Sequence, residues 1–345
     1  MPSAEMASLS LLEQLRTASA IDFDSLDVDT ARALGTFDDC TSNQAIAYFE
    51  LSRRDEQDSA KLKYEGLLQK AAGAARTLHK QHGDDASESE IAVEMAMVLL
   101  SLQFAPVVKK HLLVQTNPQL AYSTSRTIAN AERIVQHFKR FSPDFDTSRV
   151  CVKIPSTWEG IQACRELEQR GVKTLATTLF CMEQTVLAGD AKCTYIAPYV
   201  NELRVHFDPS YTDSAKGFAL CAEAQHYYRT YGLVTKVMAA SLTSIGDVMT
   251  LAGLDHITVS PALLQQLHQT AIPRDGKASD TTLEALVPSQ VAITIDQAQS
   301  LVRDEAAWRF AFTRSDNGKN EAKLVQAINI FADYQNKLQS LVADR

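Results

Sequence analysis

Eight short apolar runs, near residues 18–22, 36–42, 111–116, 149–154, 172–178, 194–199, 235–240 and 256–260, recur with longer helix-patterned stretches between them. No other feature narrows the fold so far. Runs this short are strand-length, and strands joined by helical crossovers lie parallel to one another. Eight such units in one chain favour closure into a barrel over an open sheet. The expected class is therefore α/β, a (β/α)8 TIM barrel forming one domain over residues 1–345. Two helical stretches, about 54–83 and 88–105, stand between the second and third strands, joined by the polar "HGDDASESE". The end of the chain, about 296–343, reads as two more helices packing on the barrel. With 345 residues, 45% of them hydrophobic, the chain can fill a core of that size.

Between the strands, "STSRTIANAERIVQHFKRF" places Ile128, Ala131, Ile134, Val135 and Phe138 on one helical face. "STWEGIQACRELEQRG" opens with a Ser-x-x-Glu capping box, Ser156 and Glu159, and stops at Gly171. The most apolar long window, "IAVEMAMVLLSLQFAPVV", is interrupted by Glu94, Ser101 and Gln103, which fits a buried helix rather than a membrane span. No secretory leader pattern opens the sequence, so the expectation is a soluble, cytoplasmic protein. A net charge of -8 with dispersed Lys and Arg argues against nucleic acid as a partner. The six cysteines form no CxxC pair, which reads as reduced thiols rather than a disulfide framework or a zinc site. No GxGxxG, Walker loop or metal-ligand cluster stands at a strand–helix junction, and His206 and His256 are isolated, so they read as structural. No metal and no cofactor are expected.

The segment "RVCVKIPSTWEG" poses the functional question, because Lys153 sits inside a β-favouring apolar run. One reading makes it an edge-strand gatekeeper whose ammonium reaches back to solvent. The other starts from its place at the carboxyl end of a strand, before a helix-capping turn, where barrel enzymes carry their chemistry. A neutral amine there can attack a ketone to form an imine, an electron sink that lets the adjacent carbon–carbon bond break or form.

At these residues the chain resembles the transaldolase family of class I aldolases. "VKIPSTWEGIQACRELEQRGV" is similar to the family's active-site segment, in which a lysine precedes a Ser-Thr-Trp-Glu-Gly turn. "DDCTSNQAI", "TLATTLF", "YIAPYV" and "VMAASLTSIGDVMTLAGLDHITVSPALLQQL" resemble its second, fifth, sixth and last two strands. The resemblance implies that Lys153 is the Schiff-base lysine, with Thr41 and Asn43 beside the bound ketose and Thr177 placing a water. It implies a proton-shuttling carboxylate on the first strand at Asp22, with Asp24 as the alternative, and Ser241 as a substrate contact. The same resemblance implies small-molecule ketone and aldehyde substrates and a homodimer. For each polar residue an ordinary role also stands: Asp22 as a turn or cap residue, Thr41 and Asn43 satisfying loop backbone, Tyr199 packing at the barrel mouth.

The chain departs from the family pattern at several positions. Gln115 stands where transaldolases carry a third-strand glutamate, and Tyr199 where they carry phenylalanine, a pairing that resembles the fructose-6-phosphate aldolase branch. Glu202 and Thr243 stand where two phosphate-binding arginines are expected, with Arg204 two residues on as a substitute if the register slips. Leu175 and Ala197 replace an asparagine and a serine. Losing guanidinium contacts to a dianion removes charge-assisted bonds of roughly 1.5–3 kcal/mol each. Three readings follow. The first is a Schiff-base aldolase acting on a substrate without the usual phosphate. The second is an ordinary transaldolase of the pentose phosphate pathway, moving a dihydroxyacetone unit from sedoheptulose 7-phosphate to glyceraldehyde 3-phosphate. The third is a barrel that has lost catalysis and serves for binding.

Overall fold

The structure is a computed structural model that describes residues 9–82, 86–273, 279 and 281–345. Its eight parallel strands close on themselves in sequence order. They are β1 (Ala20–Asp24), β2 (Cys40–Thr41), β3 (Leu112–Gln115), β4 (Val150–Pro155), β5 (Lys173–Leu179), β6 (Tyr195–Pro198), β7 (Lys236–Ala239) and β8 (His256–Val259). Closure is made by β1 against β8, with Ala20 opposite His256 and Phe23 opposite Val259. A closed barrel leaves no edge for a gatekeeper to protect. Lys153 is 2% exposed in the middle of β4, so the edge-strand reading does not apply.

The apolar window before β3 forms a helix, Glu88–Leu102, whose residues from Ile91 to Val98 are all buried. Glu94 within it is buried too, and is matched by Asn130 (2.6 Å), Arg133 (2.7 Å) and His137 (3.2 Å). That pairing is what a carboxylate withdrawn from water requires. No described helix is long and apolar enough to cross a membrane. All six cysteines are unpaired and buried.

Three local expectations are corrected. The helix expected from residue 54 begins only at Glu65 and runs to His82. Asp55 takes the backbone amides of Gln57 and Asp58, which holds the preceding stretch in turns. The polar connection to the next helix lies partly outside the described residues, as do the first eight residues. The helix after β4, Trp158–Gln169, is capped by Thr157 and not by a Ser156–Glu159 box. Ser156 instead donates its hydroxyl to the Thr177 carbonyl at 2.7 Å, tying β4 to β5. Gly171 does end this helical unit, at a φ of +80°.

The C-terminal region holds three α-helices where two were expected: Ile295–Arg303, Glu305–Arg314 and Lys319–Ala343. Asp304 divides the first two by accepting the Ala307 amide as an N-cap. Asp316, Asn317 and Gly318 adopt left-handed backbone before the third. The last helix lies against the helix Gln44–Leu51 and the turn after β6, and buries Leu324, Ile328, Phe331 and Leu338. Burying side chains of that size stabilises by roughly 1.5–3 kcal/mol each.

Toward the amino ends of the strands the barrel interior is polar. Asp22 accepts the ring N–H of His256 at 2.9 Å and the Asp39 amide at 3.0 Å. Asp39 accepts from His111, whose Nδ1 also meets the Tyr195 hydroxyl at 3.1 Å. Burial raises the Asp22 carboxyl to about 7 against the pull of His256. Burial also opposes charge on His256 and Asp39, but the bond from Asp22 raises the first and the bonds from His111 lower the second. A carboxyl raised in the folded state contributes stability that is present below its ordinary value near 3.8 and lost as pH rises through about 7. His256 acts with the same sign from its ordinary 6.5 upward. Asp22→Asn, which cannot ionise, should therefore lose less stability than the wild type as pH rises from about 4 to about 7. Urea midpoints measured across that range would show it; a difference that stays constant with pH would contradict it.

Candidate active site

At the opposite, carboxyl ends of the strands lies a cavity of about 230 Å³. Lys153 reaches it from β4 and Tyr199 from the residue after β6. Asp24, Asn43, Ser241, Thr258 and Ser260 bring further polar groups. Among the described residues that line it, Lys153 is the one Lys or Arg, and no carboxylate pairs with its ammonium. An amine so placed is screened from water and free of a competing ion pair, which suits it to meet a carbonyl.

Of the two first-strand carboxylates, Asp24 at the end of β1 lines the cavity, whereas Asp22, in mid-strand, is held by His256 and does not line it. Asp24 accepts the Thr41 hydroxyl at 2.6 Å, and Thr41 in turn lies 2.6 Å from the hydroxyl of Thr258. Thr41 thus stands behind the cavity wall and orients the carboxylate that faces it. Asn43 lines the cavity while its Oδ1 caps the following helix through the Ile46 amide at 3.0 Å.

Gln115 and Thr177 are buried beside the site without lining the cavity. Gln115 is the register partner of Lys153 on β3 and donates its amide to Gln44 at 2.8 Å, while its Oε1 is buried with no hydrogen-bond partner. Thr177 directs its hydroxyl at the Tyr199 oxygen, 3.4 Å away. The β5–β6 ladder shifts register between Ala176 and Leu179, and Thr178 is left-handed at φ 56°. For a β-branched residue that is strained backbone. Leu175 and Ala197 are fully buried and contribute no polar atom to the cavity.

Ser241 follows β7 with a left-handed φ of 63°. Its carbonyl is pinned by the Asn201 side chain at 2.7 Å, and its hydroxyl shares a hydrogen bond of 2.9 Å with His206. His206 lines the cavity, and burial holds its pKa below the ordinary imidazole value. Its isolation in the sequence gave no sign of this; the available signal was its position just beyond β6, on the catalytic face. Phe331, brought by the last helix, also lines the cavity and carried no local signal.

Glu202 and Thr243 do not line the cavity. Thr243 gives its amide and hydroxyl to Asp247, which also takes Lys216 at 2.8 Å. Burial of Asp247 is outweighed by these bonds, and its carboxyl is held below the usual range. Arg204 does not line the cavity either. Its guanidinium pairs with Asp208 at 2.6 Å and lies over the Tyr211 ring at 4.5 Å. As to metals, Asp22, Asp39 and His256 bring one ligand atom each within 4.8 Å of one another, but toward the other end of the barrel.

The profile described as Transaldolase/Fructose-6-phosphate aldolase matches residues 20–340. The chain belongs to that family. A protein named Transaldolase from Marinobacter nauticus is 30% identical over 340 residues, covering 96% of this chain and 97% of its own. Another Transaldolase, from Synechocystis sp., is 28% identical over 345 residues, covering 97% of this chain and 81% of its own. One from Chlamydia muridarum is 26% identical over 341 residues, covering 97% and 96%. In this family member, Lys153, Tyr199, Asp24, Asn43 and Ser241 surround one cavity, with Gln115 and Thr177 directly behind it.

Proposed function

We propose that this transaldolase-family enzyme makes or breaks a carbon–carbon bond through a Lys153 imine, on a substrate that lacks the usual sugar phosphate. The observation that carries the reading is the cavity itself: a buried lysine, a tyrosine hydroxyl and a carboxylate converge, and no arginine joins them among the described residues. Lys153 Nζ adds to the ketone carbonyl and water leaves, giving a protonated imine. Asp24 takes the proton of the substrate's β-hydroxyl, the Cα–Cβ bond breaks, and its electrons pass into the imine to form an enamine while an aldehyde departs. The enamine then attacks a second aldehyde, or takes a proton on carbon and is hydrolysed to free the ketone and the lysine.

Tyr199 supports the proton movements, with Thr177 near its hydroxyl and the free acceptor of Gln115 able to hold a water. An amide cannot itself trade a proton near neutral pH, so the tyrosine is the group of the two that can. Tyr199→Phe should lower turnover by roughly 10²-fold while leaving imine trapping by borohydride intact. Unchanged turnover in that variant would remove the tyrosine from the mechanism.

The relatives' shared name favours a second reading, transfer of a dihydroxyacetone unit between sugar phosphates. Glu202, the Thr243–Asp247–Lys216 cluster and Arg204 engaged by Asp208 speak against it. A coupled assay with sedoheptulose 7-phosphate and glyceraldehyde 3-phosphate separates the two. Efficient transfer would establish the second reading and overturn the first.

A further inference from the structure

Beside its polar groups the cavity carries an apolar wall. Phe331 enters from the last helix fully buried, and Leu242 follows the strained Ser241 with 6% exposure. Phe207, in the turn after β6, lies against Tyr334 at 5.4 Å, and Tyr334 also meets Phe49 at 5.2 Å. Phe49 lines the cavity yet is 54% exposed, which leaves a large apolar ring at its mouth. A sugar tail laid on these rings would give up hydration without gaining hydrogen bonds in return. His206 and Ser241 add a polar pair to this lining, and burial disfavours charge on the imidazole.

We propose that the substrate part farthest from the Lys153 imine is an uncharged, largely apolar group, alkyl or aryl, received by Phe49, Phe207, Leu242 and Phe331. His206 and Ser241 supply one hydrogen-bonding point along it and act as specificity-determining residues. The inference rests on the reading above for the position of the carbonyl, and it names the class of acceptor aldehyde that the cavity takes. A tail of this kind gains its affinity by leaving water, while the neutral pair penalises an anionic tail that finds no counter-charge.

The test keeps hydroxyacetone as donor and compares 3-phenylpropanal with glyceraldehyde 3-phosphate as acceptors, reading kcat/KM by mass spectrometry of the aldol product. The aryl aldehyde should be preferred by about tenfold or more. Phe49→Ser, at an exposed position where folding is not at stake, should erode that preference by raising KM with kcat held. A preference for the phosphorylated acceptor, with the imine still trapped by borohydride, would overturn this inference alone. Binding of 3-phenylpropan-1-ol, followed by saturation-transfer NMR with glycerol 3-phosphate as control, needs no imine. Binding weakened by Phe49→Ser in a protein that forms no imine would uphold the apolar subsite while the catalytic reading fell. No binding of the alcohol, or binding that Phe49→Ser leaves unchanged, would overturn the subsite.

Discussion

Replacing Gly160 with alanine should destabilise the protein by on the order of 3 kcal/mol or more, far beyond the change expected for an ordinary helix position. A Cβ on Gly160 would clash with the Pro155 carbonyl and press on the Thr157 hydroxyl at 3.0 Å and Ile154 at 3.2 Å. The first contact is with backbone, which cannot rotate away as a side-chain end would. The helix Trp158–Gln169 must therefore back off from the end of β4, two residues beyond Lys153. Relieving the clash would also stretch the Thr157 cap on the Gly160 amide, now at 2.9 Å. Elsewhere in a helix alanine is favoured over glycine by about 1 kcal/mol, so the sign here is opposite to propensity. Urea unfolding of the variant is the direct measurement, and a midpoint equal to or above wild type would contradict the packing described.

The second large effect separates activity from stability. Lys153→Met should abolish carbon–carbon bond turnover, by at least about 10⁴-fold, because methionine has no amine to form the imine. The same change should leave stability equal or higher. Lys153 is 2% exposed, so folding now carries the cost of withdrawing its polar amino group from water. Methionine has nearly the same length and no such cost. Activity assays beside thermal unfolding would test both signs together. Loss of activity with a clear fall in unfolding temperature would make Lys153 a structural residue first.

These two positions also mark what could be read in the residues. The eight strands were legible because each is a run of apolar, mostly β-favouring residues between helical periodicities. Lys153 was legible for the opposite reason, as the residue in such a run that does not belong there. The choice between Asp22 and Asp24 was not legible. Two residues apart on one strand, they share a face, and a period of two says nothing of depth along the barrel axis. Depth is set by the pairing of β1 with β2 and β8, which leaves Asp22 opposite Thr258 near His256 and Asp24 opposite Thr41 at the mouth.

Capping failed for a related reason. Ser156 and Thr157 are both capable N-caps, and the one that lost was drawn to a carbonyl on another strand. The C-terminal split turned on Asp304, a polar residue whose capping role shows only when the chain actually bends there. His206 and Phe331 reach the cavity from a turn and from the last helix, through packing between distant segments that local pattern does not encode.

The proposed chemistry rests on the amine of Lys153. Incubating the protein with hydroxyacetone, dihydroxyacetone or fructose 6-phosphate, reducing with borohydride and mapping peptide masses reads that amine directly. The proposed chemistry predicts a stable adduct on the Lys153 peptide with the unphosphorylated ketones and little with the sugar phosphate. An adduct elsewhere, or efficient trapping of the sugar phosphate at Lys153, would contradict it.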